Sequence, residues 1–179
     1  MQKSKANNQL FKIVLTAILI ALNVILERFI AFVDNDTMLT LSCVTVGFAA
    51  VYLGIQYAIA VAAIGDIIGA MFLGGYFFGF TLTNIIYALI ISLALYKNPN
   101  IIKIFISVVS TKLICTTILN SMCMSWVKYK NLNFIVVEMI ERIPQALFMT
   151  VVEIVVLTIL FPRKSKIRTT LDKNIKRFL

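Results

Sequence analysis

The sequence predicts an all-α membrane protein, a bundle of six transmembrane helices forming a single integral domain, and three observations carry that prediction. Hydrophobic residues fill 60% of the 179 positions and charged residues only 14%. Mean hydropathy is +0.95, well above that of a water-soluble domain. The apolar residues are also gathered into runs, and about 20 such residues cross a bilayer as a helix. Six runs take up about two thirds of the chain and the stretches between them are short, leaving little room for a separate catalytic or DNA-binding domain.

Taken in order, the runs are 10–30, 39–53, 55–73, 79–96, 101–124 and 144–161, followed by a basic tail over 162–179. Each is bounded by charge or by turn residues, and the second is short. Gly74-Gly75 and Asn98-Pro99-Asn100 predict compact turns, whereas 31–40 and 125–143 are longer, charged connections on one side of the membrane. The first run follows a basic start as a signal peptide would, but no small-x-small cleavage pattern precedes Glu27-Arg28, so an uncleaved helix is expected.

The formal charge of +9 raises the question of nucleic acid, and its distribution answers with topology instead. Lys3, Lys5 and Lys12, then Lys97 and Lys103, then the tail from Arg163 to Arg177, all fall on one side of a six-span chain. Arg28, Lys128, Lys130 and Arg142 fall on the other, diluted by Glu27, Asp34, Asp36, Glu138 and Glu141. Basic loops stay cytoplasmic, so both termini are expected there, in a multi-pass protein of the cell membrane.

The chain has no His, which removes the commonest metal ligand and general base, and no metal or cofactor is expected. Cys43, Cys115 and Cys123 lie in apolar surroundings without a CxxC pair and read as small hydrophobes. All seven glycines lie between Gly47 and Gly79, placing close backbone approach in spans two to four. Ala58, Ala62, Gly65 and Gly69 recur at helical spacing in the third span, for internal packing or for an external partner helix. Ala17 and Ala21 form a similar, weaker pair in the first.

Ionisable groups inside spans are costly and seldom idle, which singles out Asp66, Lys112 and Glu153. An internal ion pair, Lys112 with Glu153 or with Asp66, and a binding role are both open. A second polar group gathers near the outer ends of four helices: Asn23 and Arg28; Tyr76, Phe80, Thr83 and Asn84; Asn120 and Trp126; Arg142 and Gln145. Interfacial anchoring accounts for Trp126 and Tyr76. It accounts poorly for amides and hydroxyls at the same depth, and a pocket open to the outside is the better reading. Amides, aromatic faces and guanidinium groups together suit a planar, multiply hydrogen-bonding molecule with an acidic tail.

At this point the chain resembles the substrate-binding S-components of energy-coupling factor (ECF) vitamin transporters, most closely the folate-specific kind. The stretches that carry the resemblance are Leu15-Thr16-Ala17-Ile18-Leu19-Ile20-Ala21-Leu22-Asn23 leading to Leu26-Glu27-Arg28-Phe29, Ala63-Ile64-Gly65-Asp66-Ile67-Ile68-Gly69-Ala70, Gly75-Tyr76-Phe77-Phe78-Gly79-Phe80-Thr81-Leu82-Thr83, and Glu141-Arg142-Ile143-Pro144-Gln145. Each is loose alone; their order and spacing are more specific. The chain departs from the family's usual prolines at Val44-Thr45 and at Gly54-Ile55-Gln56.

The resemblance implies a subunit that captures a vitamin outside the cell and docks on a transmembrane coupling subunit and two cytoplasmic ATPases. It then delivers its cargo by toppling in the membrane. It gives Ala17 and Ala21 a role in meeting the coupling subunit. The folate reading sets Arg28 or Arg142 against an acidic group and Asn84, Asn120 and Gln145 against the pterin edge. It sets Phe80, Tyr76 or Trp126 against the ring faces, and makes 31–40 a mobile cover. No GxxxxGK[ST] loop is present, so ATP hydrolysis falls to partners and the chain is not expected to be an enzyme. An S-component for thiamine, riboflavin or pantothenate is the alternative; an intramembrane enzyme or a channel-like scaffold fits less well.

Overall fold

The structure, a computed structural model, describes residues 2–29, 32–34, 37–73, 76–96 and 100–161, with the side chains of 2–8, 28–29, 32–34, 37–39 and 73 left out. The turns at Gly74-Gly75 and Asn98-Pro99 and the tail over 162–179 therefore lie outside the described residues, as does the side chain of Arg28.

Helix α1 (Gln2–Val24) opens the chain and loosens into a π-helical turn over Ile25–Phe29. Strands β1 (Phe32–Asp34) and β2 (Thr37–Leu39) pair antiparallel, Val33 opposite Met38, as a short hairpin within the connection expected over 31–40. The second span is the short α2 (Cys43–Phe48) continued by a π-helical turn over Ala49–Leu53. Gly54 joins it to α3 (Ile55–Leu73) with φ of 109° and ψ of 175°, a conformation essentially reserved for glycine. That glycine makes the sharp entry to α3 possible without a proline.

Helix α4 (Phe78–Leu95) packs on α3, and α3 packs also on α1. The fifth span is continuous from Ile101 to Tyr129: α5 (Ile101–Thr111), an eight-residue π-helical stretch (Lys112–Leu119), and α6 (Asn120–Tyr129). Lys130 turns the chain in a left-handed conformation with φ of 51°, and a 3-10 turn (Leu132–Phe134) leads into α7 (Ile135–Leu160). Among the described residues five helical stretches are long and apolar enough to cross a membrane, with Cys43–Leu53 a shorter apolar sixth.

The last helix differs from expectation. It begins at Ile135, so much of the stretch read as a charged connection is helical and Pro144 sits inside α7. Charge had argued against a span there, but Glu138 is buried and its carboxylate meets Lys128 Nζ at 3.0 Å across the α6–α7 corner. Arg142 follows one turn later, Nε at 3.9 Å from Glu138. The charges satisfy one another once the two helices pack.

The apolar core fills one half of the bundle. Ala88, Ile91 and Leu95 of α4, Ile104 and Val108 of α5, and Leu157 of α7 with Phe161 just beyond it meet Val46, Ala58 and Val61 there. Gly47 is pressed against this cluster, where a Cβ would lie 3.0 Å from Leu157. Asn84 on α4, Lys112 and Asn120 on the fifth span, and Arg142, Gln145 and Glu153 on α7 all lie to one side of these core residues, where the bundle can hold a cavity.

Candidate functional site

A cavity of roughly 380 Å3 occupies that side of the bundle. Phe77, Phe80, Thr83, Asn84 and Tyr87 line it from α4 and its approach, and Lys112, Cys115, Thr116, Asn120 and Met124 line it from the fifth span. Arg142, Gln145, Met149 and Glu153 line it from α7. Their spacings of three and four residues keep each set on one helical face. Glu27, Thr40, Ser42, Asp66 and Ala70 complete the wall. The π-helical stretch widens the fifth span at this level and carries Lys112, Cys115 and Thr116, as π segments commonly do at functional sites.

Of the side chains expected to bind, Phe80, Thr83, Asn84, Asn120, Arg142 and Gln145 come together in this wall. Thr83 does so with its hydroxyl donating to the Gly79 carbonyl at 3.0 Å, which leaves its methyl and a lone pair for the cavity. Three other expected residues lie outside that lining. Asn23 is buried but faces α2 and α3: its Oδ1 accepts from the Thr45 hydroxyl and its Nδ2 donates to Glu27 at 2.9 Å. It is a brace, and Glu27 is the member of that chain that reaches the cavity. Trp126 is 51% exposed and lies outside the lining. Tyr76 is half exposed at the entry to α4, its hydroxyl within 3.4 Å of Thr81, and also outside the lining.

The intramembrane ionisable residues resolve differently from one another. Lys112 Nζ and Glu153 Oε1 form an ion pair at 2.6 Å. Asp66 Oδ2 accepts from Thr81 Oγ1 at 2.6 Å, tying α3 to α4. All three also line the cavity, so the internal pairing and a place at the site coexist. Tyr87 and Thr116 went unread, although each sits four residues from a flagged position, Thr83 and Lys112. That helical step was the signal available for both. Ala17 and Ala21 are exposed on the outer face of α1, with Ile13, Val14, Ile18 and Leu22 exposed nearby.

The family model for the ECF transporter substrate-specific component matches residues 11–161. The chain belongs to that family. It is thus a multi-pass membrane protein and the substrate-specific component of a transporter. It is similar to the folate transporter FolT of Leuconostoc mesenteroides subsp. mesenteroides, 39% identical over 87 residues. That match covers 48% of this chain and 46% of the relative, so the aligned stretch spans about half the length of the curated protein. The fold of this substrate-specific component is also that of a crystal structure of FolT bound with folic acid, with a TM-score of 0.76 at 21% identity over 86% of this chain and 94% of the other.

Proposed function

We propose that this substrate-specific component captures folate from outside the cell and hands it to an ECF module of one transmembrane coupling subunit and two cytoplasmic ATPases. The observation that carries the substrate is the cavity wall. It sets a guanidinium, three carboxamides and two phenyl rings around one space, and a flat heteroaromatic ligand with an acidic tail uses each type. The likeness to a folate transporter supports the same choice.

In this reading Arg142 grips an acidic group and Phe80 covers a ring face. Asn84, Asn120 and Gln145 supply hydrogen bonds along the ring system and its linker. Arg28, in the π-helical turn that follows α1, is the alternative guanidinium for that acidic group. The β1–β2 hairpin covers the mouth of the cavity, since the chain passes directly from β2 to the lining residues Thr40 and Ser42. Both termini face the cytoplasm, and the exposed Ala17 and Ala21 let the coupling subunit approach α1 closely. ATP is hydrolysed by the partners.

Equilibrium binding of radiolabelled folate to the purified chain tests the substrate. Saturable binding is expected. Absence of it, with thiamine, riboflavin or pantothenate bound instead, keeps the family and overturns folate.

A further inference from the structure

The deep end of the cavity holds unspent hydrogen-bonding capacity. Glu153 is 2% exposed and lines the cavity; its Oε1 takes the Lys112 ammonium at 2.6 Å, while its Oε2 has no hydrogen-bond partner among the described residues. A buried carboxylate oxygen without a donor is expensive and asks for an explanation. Lys112 carries three N–H donors, of which Glu153 uses one. The Tyr87 hydroxyl, in the same wall, is likewise buried without a partner among the described residues.

The other cavity carboxylates are already engaged, Glu27 by Asn23 and Asp66 by Thr81. Glu153 also lies eleven residues beyond Arg142 on α7, roughly 16 Å along the helix. The cavity therefore has two poles, an outer one with a guanidinium and a deep one with an acceptor beside a donor.

We infer that Lys112 and Glu153 together read the 2-amino-4-oxopyrimidine edge of the ligand. That edge presents two N–H donors, on the 2-amino group and N3, followed by one acceptor, O4. Glu153 Oε2 accepts from the N–H side and a free Lys112 N–H donates to O4, with Tyr87 completing the ring of partners. The inference rests on the folate reading and names the residues that set its specificity. Ordinary structural ion pairing does not explain the open Oε2, because a pair kept only for packing has no reason to leave one oxygen bare against a cavity.

The test is ligand discrimination. Folate and its 4-amino-4-deoxy analogue differ at two adjacent positions of that edge: the 4-amino group sets a donor against Lys112, and N3, without its hydrogen, sets an acceptor against Glu153. The unmodified chain should bind folate at least about tenfold more tightly, as expected for a hydrogen bond to a charged group. The double variant Lys112→Met/Glu153→Leu replaces the pair by apolar groups of similar size, which often keeps a fold intact. It should lose folate affinity at least about tenfold and lose the preference for the 4-oxo compound.

A preference within about threefold in the unmodified chain overturns the inference and needs no variant to fold. So does a double variant that weakens both ligands in equal proportion, which is what a purely structural pair would do. If the unmodified chain ignores folate yet binds 6-hydroxymethylpterin, the folate reading fails and the deep site stands; if it binds neither, both fail.

Discussion

Asn23 Nδ2 lies 2.7 Å from the place a Cβ on Gly65 would occupy, and the same nitrogen donates to Glu27 at 2.9 Å while Asn23 Oδ1 accepts from Thr45. One carboxamide thus joins α1 to α2, crosses α3 at a glycine, and steadies a carboxylate of the cavity wall. A close helix crossing at a small residue is the usual device of membrane bundles, with polar bonds as the glue.

Because two hydrogen bonds pin Asn23, its amide cannot swing aside for a methyl group. Gly65→Ala is therefore expected to destabilise the bundle by about 1–3 kcal/mol, the usual effect of overpacking. Thermal unfolding in detergent reads it, and an unchanged midpoint would mean that α1 and α3 separate at little cost.

Thr81→Val keeps the volume of the side chain while removing the hydroxyl that donates to Asp66 at 2.6 Å. The buried carboxylate loses that donor, and a loss of about 1–3 kcal/mol is expected. Unfolding measured beside Thr83→Val separates the effect, since the Thr83 hydroxyl donates to its own helix at Gly79 and has the uncharged Cys123 thiol beside it, so its loss should be felt less.

Arg142→Ala should weaken folate binding by about thirtyfold or more, the scale for truncating one side of a buried charged contact. Lysine at this position should recover only part of the loss, lacking the fork that grips a carboxylate. Titration calorimetry on the purified variants distinguishes these outcomes, and equal affinities for all three chains would remove Arg142 from the site.

Trp126→Ala and Tyr76→Phe are expected to leave the folate dissociation constant within about twofold, as for surface substitutions away from a binding wall. Both side chains stand outside the cavity lining and are half exposed. A large loss at Trp126 would place ligand where the geometry provides no enclosure.

Enlarging the exposed face of α1 with Ala17→Leu/Ala21→Leu should leave folate binding by the isolated chain unchanged and sharply reduce uptake by cells expressing the complete transporter. Parallel binding and uptake assays read the difference. Uptake at the unmodified level would move the docking surface elsewhere.

The pattern of residues along the chain determined a good deal by itself. Apolar run length set the number and order of the helices, because a bilayer tolerates little else over such distances. The outer polar cluster was legible as well, with Phe80, Thr83, Asn84, Asn120, Arg142 and Gln145 all placed in one cavity wall. Only the tertiary structure decided which polar groups face the cavity and which face one another. Asn23 reads in sequence like Asn84, yet its partners are Thr45, Glu27 and the bare backbone of Gly65, on elements that periodicity cannot orient about their axes. Lys112 and Glu153 stand 41 positions apart, and their 2.6 Å contact arises because α7 packs against the π-helical stretch. Helix α7 likewise runs through a charged segment because Lys128 reaches Glu138 only after the corner has formed, joining the Arg142 that stands one turn from Glu138 on α7 itself. Hydropathy reports the solvent each residue prefers when alone; pairing across helices changes that preference, and it exists only in the folded bundle.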